Sequence, residues 1–419
     1  MKSNDSLISD EDQYLWVIGG GILQVPLIEE ARKLNLKIIV TDGDKDCLCK
    51  DLSDIFLDID IFDIDSHIKY CDNLIYEGIK IKGVLAAGID APETMSKIAE
   101  YLNLPSVSSD VAHMVNNKEL FREEMTKLNL PVPTYRVVTE QDLDDLKDLV
   151  DQVGYPLIVK NTSSSGSRGT KIFNTPNFNE VKEVVLEAIK VSRSSKALIE
   201  SLWVGSEHTV ETLFDINGKF YECFITDRIF DKSEGFAMET GLVHPSTLTK
   251  EEQKQMYELA KNVADSIGIK IGAAKFDLIL TKDGPRIIEM TVRLSGGFDC
   301  QFLVPAATGK NILRAAILTS CGEEFDNHLL VNSKNRVCLS ESLWPNPGEI
   351  INISGLEEAK SSEGFEFIFF RYDKGDTVEP YTDCTKRVCF LLVSGSNLEE
   401  ASVNMELIKN KITIDTKSP

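Results

Sequence analysis

The sequence predicts a mixed α/β protein, and three stretches carry that prediction. Near the N-terminus, short apolar segments alternate with helical patterns, as in an open α/β domain. At 155–173 two strand-like segments flank a loop of serines and glycines. At 275–293 two further segments, KFDLILT and RIIEMTVR, are joined by Lys282-Asp283-Gly284.

Taken in order, residues 14–18 (YLWVI) read as a buried strand, followed by Gly19-Gly20-Gly21 and a helical pattern over 24–34. Residues 37–41 (KIIVT) supply the next strand, ending at Asp42. This βαβ opening resembles a Rossmann half, in which glycines let the backbone turn into a helix N-terminus. The spacing is GGGxxxxP rather than GxGxxG, which fits a structural turn or a non-nucleotide substrate contact better than an NAD site. The alternation continues with strands at 55–57 and 83–86 and helices at 68–77 and 92–102, so the first domain ends near Pro105.

Asn117 is placed to cap a helix, KELFREEMTKL, which puts Lys118 in the first turn, where the macrodipole disfavours a cation. Pro131 and Pro133 end that helix, and another follows over 142–153. Residues 155–159 (YPLIV) form a strand carrying Lys160 at its end, before SSSGSRG at 163–169. Such a loop exposes amides to a phosphate and can close over it; an ordinary flexible turn is the other reading. It is not a Walker A loop, since no GK[ST] is present. After a helix at 179–192, the strand ending at Glu200 runs through Leu202 and Trp203 to Glu207 and His208. The backbone of that connector can hydrogen-bond an adenine edge while Glu207 reaches ribose hydroxyls. Strands at 208–214, 220–228 and 275–281 follow, with a long helix over 250–267 between the N-cap Thr249 and Gly268.

In the hairpin, a three-residue loop with Gly284 left-handed puts Asp277 opposite Glu289. Strand alternation then gives Glu289, Thr291 and Arg293 the face that carries Asp277, beside the flexible exit Ser295-Gly296-Gly297. Two carboxylates held this way suit magnesium, which completes its shell with phosphate oxygens. A surface ion pair is the plainer alternative.

Composition narrows the class. A chain of 419 residues, 42% hydrophobic and 27% charged, has material for two to four domains with real cores. A formal charge of −22 argues against nucleic acid, which needs a basic footprint. No run of about eighteen apolar residues predicts a membrane span. The polar N-terminus is unlike a signal peptide, and nine cysteines without CxxC pairs point to reduced thiols in the cytoplasm. Cys47 and Cys49 lack the further ligands of a zinc set.

These motifs together resemble the ATP-grasp superfamily, in particular biotin carboxylase, carbamoyl-phosphate-synthase-like proteins and L-amino acid ligases. The resemblance implies a pre-ATP-grasp Rossmann-like domain at 1–107, a two-lobed α+β ATP-grasp domain at 108–332 with a lid at about 155–205, and a small β-rich cap at 333–419. It implies that Lys118 and Lys160 hold the nucleotide, and that the 163–169 loop, with Ser165, Gly166, Ser167 and Gly169, is the lid over the triphosphate. Glu200, Leu202, Trp203, Glu207 and His208 match the adenine and ribose hinge, Asp277 and Glu289 the two magnesium ligands, and Arg293 the reaction-centre arginine. The family pattern Glu-x-Asn-x-Arg is here Glu289-Met-Thr291-Val-Arg293, so the asparagine is replaced. In the tail, Pro347-Gly348, Gly355, Lys374-Gly375-Asp376 and the segment after Leu398 resemble the C-terminal domain of biotin carboxylase and amino acid ligases.

The activity implied is ATP-dependent amide formation between a small carboxylate and an amine through an acyl phosphate, with ATP and two Mg²⁺ (or Mn²⁺) as cofactors and a homodimer as the assembly. Arg228 is the candidate clamp for a substrate carboxylate, His244 a candidate group acting on the amine, and Gly296 and Gly297 amides for the acyl phosphate. Lys160 and Arg293 are the candidate catalytic residues. The competing readings are an ATP-grasp carboxylase using bicarbonate, a non-catalytic ATP-binding sensor and an NAD oxidoreductase.

Overall fold

The computed structural model describes residues 12–163, 166–231, 235 and 237–417. Its first unit is a parallel sheet in the order Ile55–Asp58, Lys37–Asp42, Gln13–Ile18, Lys80–Ala86. The central strand is an unbroken apolar run because both of its faces are covered. Trp16 is fully buried there and donates its indole N–H to Thr41 Oγ1 at 2.7 Å. The glycine turn follows: Gly19 adopts φ +89°, and the Gly20 amide donates to Asp42 Oδ2 at 2.6 Å. A Cβ on Gly20 would lie 2.3 Å from Cys47 Sγ, so close packing alone requires glycine there.

The second unit is an antiparallel sheet ordered Tyr135–Val138, Ala197–Ser201, Leu157–Asn161, Lys171–Phe173. Helices Leu146–Val153 and Phe178–Val191 bury Val150, Val181 and Val185 against it. The first of these begins four residues later than the sequence pattern predicts, because a 3-10 turn over Glu140–Asp142, capped by Thr139, occupies the start.

The body is one antiparallel eight-stranded sheet. Its order is Gly284–Thr291, Gly272–Thr281, Ser206–Phe214, Phe220–Asp231, Met238–His244, Val337–Glu341, Cys389–Gly395, Phe365–Phe370. The C-terminal segment therefore extends the middle segment's sheet through pairing of Leu242 with Ser340, and adds a three-stranded sheet of Thr377–Val378, Gly348–Ser354 and Thr413–Lys417. Period-two alternation sorts the large sheet into two faces. Val210, Phe276, Leu278 and Met290 pack with Met256, Ala260 and Val263 of the helix Lys250–Ser266. The opposite face is left for polar chemistry.

The hairpin differs from expectation in one detail that cancels another. Thr281 pairs with Gly284 (φ +96°), so the loop is the two residues Lys282 and Asp283 rather than three. The register then shifts between Asp277 and Leu278: Leu278 faces Ile287 while Asp277 faces Glu289. The extra residue, Ile288, is a β-bulge, and it restores the carboxylate pairing that the shorter loop would have offset.

Replacement of Trp16 by alanine is expected to cost about 3–5 kcal/mol, read by urea denaturation; a loss below about 1 kcal/mol would contradict the packing described.

Candidate active site

The site is built on a buried ion network. Asn117 Oδ1 accepts the amides of Glu119 and Leu120, so the helix Lys118–Lys127 starts where the sequence places it. Lys118 and Arg122, four residues apart, then share one face. Arg122 is buried and donates Nε to Glu200 Oε1 at 2.5 Å and Nη2 to the Ile288 carbonyl at 2.7 Å. The bulge thus supplies the acceptor that ties helix to hairpin. Lys160 Nζ meets the other Glu200 oxygen at 2.9 Å. Burial pushes the Glu200 carboxyl up, but Arg122 and then Lys160 outweigh it and hold its pKa at about 2.

Above this network lies a cavity of about 120 Å³ whose wall includes Lys118, Lys160, Gly166, Ser167, Glu200, Leu202, Trp203, Glu207 and Glu289. Most of the residues assigned to the nucleotide therefore do converge. Two do not stand there, and a third is undescribed. His208 follows Glu207 in a strand, so its ring points away, meeting Asp227 at 2.8 Å and Ser206 at 2.7 Å. Gly169 packs on the helix behind, where a Cβ would be 2.9 Å from Val191 and 3.0 Å from Ala188. Ser165 lies outside the described residues.

A second cavity of about 480 Å³ adjoins the first, and Gly166, Arg228, Asp277 and Glu289 line both. It is closed by the Gly19–Gly21 turn on one side and by Arg371, Cys384 and Arg387 of the C-terminal segment on another. The serine- and glycine-rich loop touches that segment, since the Cys384 amide donates to the Gly166 carbonyl at 3.1 Å.

Across the polar face of the sheet, charges alternate. Asp277 Oδ1 accepts from Lys275 at 2.5 Å and from Arg228 at 3.1 Å, with Thr209 at 3.3 Å. Arg228 continues to Glu239 at 2.6 Å, and Glu239 to Arg387 at 3.1 Å. Burial raises the Glu239 carboxyl, yet Arg228 and Arg387 prevail and hold it at about 2. Arg228, the candidate carboxylate clamp, is thus doubly ion-paired between two acids while lining both cavities. Glu289 lies 3.6 Å from Lys118 and is held well below the carboxylate range, since Lys118 and then Lys275 overcome its burial. Arg293 donates to the carbonyls of Ile89 (2.8 Å) and Leu294 (2.9 Å) and lines the larger cavity with Gly296 and Gly297. His244 is not at the site: it is buried, its Nδ1 meets the Ile225 carbonyl at 2.9 Å, and burial lowers its pKa to about 4.

Asp277 and Glu289 fit a divalent cation. Each directs an oxygen-bearing side chain at the shared wall, and the neighbouring Thr291 hydroxyl is buried without a hydrogen-bond partner. No group of three or more His, Cys, Asp or Glu among the described residues forms a closed cage, so an ion here would take further ligands from phosphate, as Mg²⁺ commonly does. The sequence reading missed Arg122, Lys275 and Arg387. The first two were accessible to it, as the i+4 neighbour of Lys118 and the i−2 neighbour of Asp277.

Glu200→Gln is expected to destabilise the protein by about 3–5 kcal/mol at neutral pH, because Arg122 stays buried without its counter-charge. A depressed carboxyl stabilises above its ordinary pKa of 4.5 and loses that contribution as pH falls toward about 2. Denaturation across that window should therefore be steeper for the unmodified protein than for the variant; identical curves would contradict the network.

The chain matches the family model described as carbamoyl-phosphate synthase L chain, ATP binding domain, over residues 117–328, and the L-amino acid ligase C-terminal domain 2 over residues 342–417. Human carnosine synthase 1 is 26% identical over 341 residues, 74% of this chain and 40% of that protein. The carbamoyl phosphate synthase large chain of Clostridium botulinum (strain Langeland) is 30% identical over 234 residues, 54% of this chain and 21% of that protein. The chain thus spans well under two thirds of either relative's length. The crystal structure of an L-amino acid ligase from Bacillus licheniformis superposes with a TM-score of 0.81 at 20% identity, covering 98% of this chain and 100% of that one. An N5-carboxyaminoimidazole ribonucleotide synthetase in its ADP complex gives a TM-score of 0.73 at 19% identity, with 95% and 96% covered. The family match spans Glu200 to His208, the hairpin and both lysines, and the chain belongs to the ATP-grasp family of the carbamoyl-phosphate synthase L chain ATP-binding domain.

Proposed function

We propose that this protein is an ATP-dependent carboxylate–amine ligase that forms an amide through an acyl phosphate, releasing ADP and phosphate. The observation that carries the reading is that two cavities, one small and one several times larger, meet at Asp277 and Glu289. A nucleotide in the first presents its γ-phosphate to an acid and an amine in the second. The names of the human relative and of the Bacillus licheniformis structure agree with amide ligation.

In this account Lys118 and Lys160 neutralise the phosphates, the lid at Gly166 and Ser167 covers them, and Glu207 meets the ribose beside Leu202 and Trp203. Glu200 acts from beneath, holding Lys160 in place. Asp277 and Glu289 would hold Mg²⁺, which when bound would supply charge neutralisation for phosphoryl transfer. A carboxylate oxygen attacks the γ-phosphorus, and the bond to ADP breaks. The amine nitrogen then attacks the acyl carbon, the carbon–oxygen bond to phosphate breaks, and the nitrogen loses a proton. Arg293, with the amides of Gly296 and Gly297, faces the charge that develops on the acyl phosphate. Contact between the lid and Cys384 excludes water that would hydrolyse it. A cytoplasmic location accords with nine free cysteine thiols, and the reading includes Mn²⁺ as a substitute ion and a homodimer.

Phosphate release from Mg-ATP across a matrix of acids and amines, with bicarbonate in separate wells, tests this. Release that requires a specific acid and amine together is the expected result; release with bicarbonate alone would replace the ligase by a carboxylase. Glu289→Gln should lower kcat by roughly 10²–10³-fold while retaining ATP binding, and full activity would remove the metal assignment.

A further inference from the structure

The wall of the larger cavity carries five acids, and four have partners. Asp42 accepts the Gly20 and Asp44 amides, Glu239 pairs with Arg228 and Arg387, Asp277 with Lys275 and Arg228, and Glu289 with Lys118. Asp299 differs. It is 3% exposed, and among the described residues it has neither an ion pair nor a backbone amide donor, with Oδ1 unpartnered.

Two uncommon backbone features aim it there. Phe298 is left-handed (φ 68°), a conformation that a bulky side chain rarely adopts, and residues Asp299–Leu303 form a π-turn rather than an α-turn. Gln301 Oε1 and Glu211 Oε1 are also buried without partners, although Gln301 Nε2 donates to the Ser295 carbonyl at 3.1 Å and Glu211 Oε2 accepts the Ser295 amide at 3.1 Å. The Thr226 hydroxyl lies beside the Asp299 carboxyl and the Ser295 hydroxyl beside Glu211, but these donors are neutral, and among the described residues no cation pairs with Asp299. On the cavity side stand the rings of Phe298 and Phe390, their centroids 4.5 Å apart.

We propose that Asp299 is the receptor for a primary ammonium group borne on an apolar or aromatic body, namely the amine substrate, an identification that rests on the ligase reading above. A cation with N–H donors supplies the charge partner that Asp299 lacks and a donor for its unpartnered Oδ1. The aromatic faces favour the same sign. A carboxyl lacking its counter-cation should also hold its proton tightly, and burial, then Glu239, push Asp299 up to about 8 against the pull of Lys275.

The test is calorimetric titration of the full chain, saturated with Mg-ADP, using 2-phenylethylamine and the neutral 2-phenylethanol. The unmodified protein should prefer the ammonium by at least about tenfold, and Asp299→Asn should weaken ammonium binding on the order of 30-fold. Alcohol and Mg-ADP affinities should be unchanged in the variant, the latter certifying that it folds. Equal affinity of the unmodified protein for amine and alcohol would overturn the proposal without any variant, and so would an Asp299→Asn protein that keeps the preference. Neither readout needs turnover, so a silent acid–amine matrix with intact ammonium preference would sink the ligase reading alone.

Discussion

The cross-strand pairing of Asp277 with Glu289 is the constraint on which the rest of the structure depends. Two carboxylates opposite one another in an antiparallel pair repel unless cations stand between and around them. Lys275, Arg228 and Lys118 are the cations the fold supplies. The hairpin alone could not hold this register, because its two-residue loop sets the strands one residue away from it. The bulge at Ile288 corrects the offset, and the carbonyl at that bulge accepts a hydrogen bond from Arg122.

Through Arg122 the hairpin is joined to the sheet that carries Lys160 and Glu200. The same guanidinium binds Glu200, and Glu200 holds Lys160, so the lysine from the smaller antiparallel sheet and the carboxylates from the large sheet are positioned by one buried arginine. Burying charge is costly unless every member is paired, which makes the network intolerant of single losses and fixes the spacing between lobes. A second chain runs the other way, from Asp277 through Arg228 and Glu239 to Arg387, and brings the C-terminal segment to the cavity. That route is structural as well as electrostatic, because the C-terminal strands continue the same sheet.

Much of this was legible in the sequence where a short period governs. Alternation in KFDLILT and RIIEMTVR put both acids on one face, and Asn117 announced the helix that carries Lys118. The same rule, applied strictly, excludes His208 once Glu207 is given to the cavity, since neighbours in a strand cannot share a face. What stayed hidden was non-local. No pattern near residue 340 says that Leu242 will pair with Ser340, so neither the continuous sheet nor Arg387 could be read. His244 drew attention through its chemistry, but its burial depends on Phe224 and Ile225 from another strand. The left-handed Phe298 that re-aims Asp299 has no local signature, because glycine, not phenylalanine, ordinarily marks such a turn.

The most direct measurement of the central pairing is anomalous scattering from crystals grown with Mn²⁺ and ADP. The account predicts a manganese peak within coordination distance of both Asp277 and Glu289, with phosphate oxygens completing its shell. A peak elsewhere, or ADP seated in the smaller cavity with no ion at this pair, would contradict it.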